Sequence, residues 1–245
     1  MLFRSLLIGS VTKLAAFAFV IRLLTQGLFV LAVDWQGMLI IMAVMSIIVG
    51  NITAIAQTNL KRMFAYSTIS HVGFLMYGLM SVSLNGYASA MLYILAYMLM
   101  TLAGFGMILL LSRKGFEADK LDDLKGLNQR SPWFAFMMLI TMFSMAGVPP
   151  TIGFYAKFAV LQAALQAGLL WLVVFAVLMA VIGAFYYLRI VKLMYFDEPK
   201  DRKAIDAPME MKLMLSLNAF GLLLLGLFPQ RLMDICAYAI SHSMQ

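Results

Sequence analysis

Two lysines carry the chemistry that this sequence offers. Lys157 stands in the apolar run from Pro132 to Gly168, and Lys13 stands in the apolar run that begins at Ser5. An isolated ammonium in a bilayer centre costs several kcal/mol or more, so an amine kept there is paired, hydrated or partly neutral. An amine balanced between desolvation and the pull of a carboxylate can load and release a proton. The chemistry indicated is proton relay through an apolar medium. His71, Tyr93 and Tyr97 are secondary candidates for ordering a water chain beside the lysines.

The lysines need elements that hold them at depth. As one straight helix, Pro132 to Gly168 would far exceed the roughly 20 residues that cross a bilayer. It has to break, and the break falls in Met145-Ala-Gly-Val-Pro-Pro-Thr-Ile-Gly-Phe-Tyr-Ala-Lys-Phe158. Pro149 and Pro150 remove two amide donors, the residue before each is pushed out of helical dihedrals, and Gly147 and Gly153 loosen the flanks. Irregular backbone at membrane depth is tolerated where protein or a water-filled cavity covers it, and half-helix ends there handle ions. Lys157 sits beyond the second proline with no nearby membrane edge for its amine. Lys13 lies midway between Arg4 and Arg22, so if those arginines snorkel to opposite surfaces Lys13 is near the midplane.

Composition sets the class. The 245 residues are 64% hydrophobic and only 12% charged, with a mean hydropathy of +0.94. That excludes a soluble globular domain and predicts an all-α polytopic membrane bundle. The net charge of +7 is spread over a few loops and reads as a topology signal, not a nucleic-acid surface. One cysteine, Cys236, forms no intrachain disulfide, and with only His71 and His242 the chain cannot supply a four-cysteine iron–sulfur site. A bis-histidine haem would need that one distant pair, so redox chemistry is expected on another chain. The 22 methionines read as flexible gap-fillers between helices, and no metal site is expected.

About seven spans follow: Ser5 to Leu24, Met38 to Gln57, Met63 to Ser83, Tyr87 to Leu111, the broken Pro132 to Gly168, Leu169 to Leu188, and Leu213 to Phe228. Lys13 interrupts the first span and argues against a signal peptide. None of the spans so drawn contains Asp or Glu. Lys61 and Arg62 sit at a turn and read as interface anchors, and His71 has Ser67, Thr68 and Ser70 as neighbours in sequence. The loop Arg113 to Arg130, with Leu121, Leu124 and Leu127 at helical spacing, reads as a short surface helix with a solvated charged face. After Pro229, the residues Leu232, Ile235, Cys236, Ala239 and Ile240 repeat at helical spacing. Residues 1–228 are thus one transmembrane domain and 229–245 an interfacial amphipathic tail.

Loops 58–62, 113–130 and 189–212 are basic, whereas 25–37, 84–86 and 165–168 contain no Lys or Arg. One broken crossing puts every basic loop on the cytoplasmic side, while two would split them. A single broken crossing is expected, with the short N-terminus inside and the tail outside.

These residues resemble a known family, the antiporter-like membrane subunits of respiratory complex I, and among them the N-type branch of the bacterial proton-translocating NADH-quinone oxidoreductases. The resemblance rests on Ser10-Val-Thr-Lys13, on Gly50-Asn-Ile-Thr-Ala-Ile-Ala-Gln-Thr-Asn-Leu-Lys-Arg-Met-Phe-Ala-Tyr-Ser-Thr-Ile-Ser-His-Val-Gly73, and on Ala146-Gly-Val-Pro-Pro-Thr-Ile-Gly-Phe-Tyr-Ala-Lys-Phe158. It implies that Lys13 and Lys157 are the central and broken-helix lysines of a proton channel. It further implies that the chain is the second inverted repeat, the C-terminal half, of a subunit about twice as long. The first repeat, with its membrane glutamate and further lysine, is absent, which suggests a truncated sequence. In the fourth span L-type and M-type paralogues and sodium/proton antiporter subunits usually carry a His and a Lys, whereas this chain has Leu95-Ala-Tyr-Met-Leu-Met100, and Tyr93 and Tyr97 are more like the N-type branch. The resemblance places NADH, FMN, iron–sulfur clusters and quinone elsewhere on the complex, with none on this chain. It makes other complex I membrane subunits, the lipid bilayer and protons the partners, and the bacterial inner membrane the location. Two alternatives stay open from the residues alone: a cation/proton antiporter subunit and a purely structural membrane subunit.

Overall fold

The structure, a computed structural model, describes residues 2–112, 119–199, 205 and 207–243, with side chains from residue 12 onward. The side chain of Arg4, the loop residues Arg113, Lys200, Arg202 and Lys203, and the last two residues of the tail lie outside the described residues. The described chain is helical: α1 Leu2–Arg22, α2 Ala32–Ala56, α3 Leu60–Met80, α4 Leu84–Leu111, α5 Leu127–Arg130, α6 Pro132–Ala146, α7 Ile152–Gln166, α8 Leu170–Phe196, α9 Met209–Leu227 and α10 Pro229–Ser243. Local chemistry sets several of these ends. The Asn59 side chain accepts from the Arg62 amide to start α3, and Ser83 accepts from the Gly86 amide to start α4. Pro132 occupies the first turn of α6, where its missing donor costs nothing.

The expected break is present and local. Gly147 ends α6 at φ 86°, in the left-handed region that favours glycine, and its amide donates back to the Phe143 and Ser144 carbonyls. Val148 also donates to Phe143, the Pro149–Pro150 peptide is cis, and α7 begins after Thr151.

α4 is the hub of the bundle, packed against α1, α3, α6, α7, α9 and α10. Its most apolar stretch is 67% buried, against 28% for α2 and α8 and 17% for α9. The peripheral helices turn Ile41, Met45 and Ile52, Val174, Val181 and Phe185, and Leu217 and Leu224 outward. That much exposed apolar surface suits a bilayer and not water. By length and composition, four helices among the described residues are long and apolar enough to cross a membrane: Phe29–Ala56, α4, α8 and α9. The more polar α3 is mostly buried inside the bundle instead. The chain is a multi-pass, all-helical membrane protein.

The basic loops meet at one end. The Leu60 amide donates to Asp119, Leu121 donates to Thr58, Gly126 donates to Leu193, and the Ile205 amide donates to the Ser131 hydroxyl. At the other end Asn85 reaches Gln166, and Gln36 donates to the Met80 carbonyl. This is the arrangement that one broken crossing of Pro132 to Gly168 produces.

Some sequence expectations need correction. α2 starts at Ala32, not near Met38, and so takes Asp34 into its first turn, while α9 starts at Met209 with Glu210 in its first turn. Both acids therefore lie within helices drawn in the sequence as acid-free, at N-termini where the helix dipole favours them. Leu121, Leu124 and Leu127 are buried and dock this loop on the bundle, and a 3-10 turn over Leu121–Leu124 followed by the separate α5 stands where one short surface helix was expected. In α10 the apolar stripe is divided: Cys236 and Ile240 are buried where the helix packs on α4, Ile235 is exposed, and Gln26 donates to the Ser243 carbonyl at 2.9 Å.

α2 and α3 approach closely through glycines. A Cβ at Gly50 would lie 2.5 Å from the Ser70 nitrogen and 2.9 Å from the Tyr66 carbonyl, while one at Gly221 on α9 meets nothing within 4 Å. Gly50→Ala is therefore expected to destabilise the protein by about 1–3 kcal/mol, as overpacking does. Gly221→Ala should be neutral or slightly stabilising. Thermal melting of the two variants in detergent checks the contrast, and equal melting temperatures would contradict it.

Candidate functional site

Lys157 lies on α7, on the side that faces the end of α6. Its ammonium donates to the Met145 carbonyl at 3.0 Å and to the Ala146 carbonyl at 2.8 Å. The last carbonyls of a helix have no intrahelical donors, and the dipole there attracts a cation. The amine thus supplies what the break leaves open. It also lies 5.3 Å from the centre of the Phe74 ring, within cation–π range. Gly147 makes room for it, since a Cβ there would come 2.9 Å from the lysine Cδ. Gly153 packs against the Ser144 carbonyl, where any side chain would collide, and its amide donates to the Ser144 hydroxyl. Of the other break residues, Pro149 and Pro150 are exposed.

Lys13, on α1, points at the α3–α4 pair. Its nitrogen is 3.4 Å from both the Thr68 hydroxyl and the Tyr97 hydroxyl, long for hydrogen bonds, and 4.8 Å from the Tyr97 ring centre. Those two hydroxyls share a hydrogen bond at 2.5 Å. The ring centre of His71 lies 4.7 Å from that of Tyr97. Tyr97 thus neighbours both the lysine and the histidine.

His71 is buried and takes both partners from other helices. Its Nδ1 is 2.8 Å from the Tyr93 hydroxyl of α4, and its Nε2 is 3.0 Å from the Tyr187 hydroxyl of α8. Neither Ser67 nor Thr68 bonds to the imidazole, and both donate to the Phe64 carbonyl. Between His71 and Lys157 lies a cavity of about 10 Å³, lined also by Asn51, Ser70, Phe74, Tyr186 and Tyr187. That is the room one water needs, among enough polar partners to hold it.

The structure therefore brings Lys13, Lys157, His71, Tyr93 and Tyr97 into one polar cluster, the histidine and tyrosines buried and the lysines half-buried, with the break residues beside Lys157. Lys61 and Arg62 are not part of it. They stand in the first turn of α3 at the basic end, Lys61 half-buried and Arg62 exposed. Sequence reasoning missed Tyr187, Tyr186 and Asn51. A signal for Asn51 was available, because a primary amide in the middle of a long apolar helix is costly unless it has partners. The tyrosine pair gave none, since Tyr186-Tyr187 near a span end reads as an interfacial belt.

Comparison with known proteins places this geometry. Residues 2–183 match the family described as NADH:quinone oxidoreductase/Mrp antiporter, TM. The NADH-quinone oxidoreductase subunit N of Methylovorus glucosotrophus is 78% identical over 241 residues, covering 98% of this chain and 50% of the relative. The protein of the same name from Nitrosomonas europaea is 60% identical with the same coverage. The chain spans about half the length of the curated relatives it matches. Among solved structures, a chain of respiratory complex I from Thermus thermophilus with bound aureothin is 28% identical with a TM-score of 0.72, covering 81% of this chain and 45% of that one. A chain of the membrane-bound sulfane sulfur reductase, an archaeal respiratory membrane complex, is 26% identical with a TM-score of 0.76, covering 85% of this chain and 42% of that one. A chain of the Mrp complex from Dietzia sp., 20% identical with a TM-score of 0.76 and coverages of 84% and 47%, shares the fold. By sequence and fold alike, the chain belongs to the NADH:quinone oxidoreductase/Mrp antiporter family of membrane subunits.

Proposed function

We propose that this chain is the C-terminal half of an N-type membrane subunit of an NADH-quinone oxidoreductase, and that it carries protons between Lys13 and Lys157. The observation that supports this most directly is the position of the two amines on either side of the cluster centred on His71. The names of the two relatives above point the same way. In this reading Lys13 is the central relay and Lys157 exchanges protons with the outer aqueous side. A proton passes from the Lys13 ammonium to the Thr68 and Tyr97 hydroxyls, and water carries it on to the Tyr93 hydroxyl. The His71 imidazole, held between Tyr93 and Tyr187, passes one on from one ring nitrogen while taking one up at the other. Neutral Lys157 accepts a proton across the cavity and gives it up beyond the break. The carbonyls of Met145 and Ala146 hold its amine in either state, because they accept from an ammonium and from a neutral amine alike.

The driving redox chemistry belongs, in this proposal, to other subunits. NADH, FMN, iron–sulfur clusters and quinone bind there, and the partners of this chain are the neighbouring membrane subunits, lipid and protons. The location is the bacterial inner membrane, with the basic loops on the cytoplasmic face.

In the intact subunit within the assembled complex, Lys157→Met is expected to lower proton export by about tenfold or more, as when an acid–base group is removed. Assembly should fall much less. Lys157→Arg keeps the charge but holds its proton too tightly to exchange it, so it should lose export as well. Acid uptake and release by proteoliposomes during NADH oxidation measures both, and full export by either assembled variant sinks the role. Export is also expected to be the same with sodium or potassium as the bulk cation. A dependence on sodium would favour cation/proton exchange instead.

A further inference from the structure

We infer that Asn51 is a positioning residue that fixes the rotation of α8 and so keeps the Tyr187 hydroxyl on His71. This rests on the proton-relay reading given above. Asn51 is on α2 and 1% exposed, closed off from bulk water and from lipid. Its Nδ2 donates to the Met179 carbonyl at 2.9 Å, and its Oδ1 accepts from the Tyr186 hydroxyl at 3.2 Å. Met179, Gly183 and Tyr186 recur at the spacing that puts them on one face of α8, so the amide lies along that face and is gripped at two heights.

Glycines on both sides make this possible. Gly183 lets α8 close on the amide, since a Cβ there would come 3.0 Å from the Asn51 Oδ1. Gly50 lets α2 lie against the backbone of α3 at Ser70, which sets Asn51 beside His71. Asn51 therefore touches the helix that carries Tyr187 and borders the cavity that His71 shares with Lys157. Tyr186 and Tyr187 are consecutive, with ring centres 4.3 Å apart. On a helix, neighbouring residues point about 100° apart, so fixing the Tyr186 hydroxyl fixes the direction of Tyr187. A turn of α8 about its axis would break the Asn51 bonds and carry the Tyr187 hydroxyl off Nε2. Asn51 acts through Tyr187 and holds no proton of the relay itself.

The test is a double-mutant cycle in the full-length subunit of the assembled complex, read as proton export per NADH oxidised in proteoliposomes and as the pH profile of that export. Asn51→Leu, which keeps the volume and removes both bonds, is expected to lower export about fivefold, the low end of what coupled groups are worth. Tyr187→Phe should do the same, the double variant should be no worse than either, and the two single variants should share one shifted pH profile. Should Asn51→Leu fail to assemble, Tyr186→Phe removes only the hydroxyl that Asn51 holds and is expected to give the same non-additive loss. Full export by an assembled Asn51→Leu or Tyr186→Phe variant overturns the inference, as do losses that add to that of Tyr187→Phe. Lys157→Met is measured alongside. If it lowers export while the Asn51 result is negative, only the positioning role is lost, and if it leaves export unchanged, the relay falls and this inference with it.

Discussion

The bond between the Lys157 ammonium and the carbonyls of Met145 and Ala146 joins two groups that a membrane would otherwise reject. A broken helix leaves acceptors without donors, and a buried amine needs acceptors, with no bulk water to serve either. Each meets the other's need. Gly147 reverses the chain at a left-handed position and leaves space for the lysine, and Gly153 tucks the start of α7 against the end of α6. Break, glycines and lysine form one unit, so altering any of them disturbs the others.

The rest of the site hangs on one helix pair. α3 and α4 run antiparallel side by side, with Gly78 near Gly86, His71 near Tyr93, Thr68 near Tyr97, and Phe64 near Gly104. Gly78 and Gly86 allow backbone contact at the polar end, where a Cβ on either would overlap a carbonyl or a serine. Small-residue contact is how helices associate where the hydrophobic effect gives no drive. The outcome is that the polar residues of α3 face the tyrosines of α4, away from lipid. α1, α7 and α8 then bring one residue each to the pair: Lys13, Lys157 and Tyr187.

Much of this was legible in the sequence, for a physical reason. A lysine in an apolar run and a Pro-Pro pair flanked by glycines are local violations of what a membrane span allows, and each marks its own position. The broken segment, Lys13 and Lys157 were found that way. What stayed hidden depended on contacts between distant segments. Tyr187 is an ordinary residue of α8 until α8 packs against α2 and α3. The loop around Leu121 to Leu127 reads as one short surface helix until it docks on residues 58 to 60 and on Leu193. The true starts of α2 and α9 were misjudged because Asp34 and Glu210 read as loop residues, although a helix N-terminus is where an acid is best tolerated.

A neutral imidazole has one nitrogen that gives and one that accepts, and His71 stands between two phenols that can each do either. Two arrangements of the three hydrogens are possible with the same heavy atoms: Nδ1 protonated toward Tyr93 with Tyr187 donating to Nε2, or the reverse. Conversion from one to the other reverses the polarity of the whole Tyr93–His71–Tyr187 line while no side chain moves. In the proposed relay the trio is a wire with a direction, and after each passage it would have to be reset before conducting the same way again.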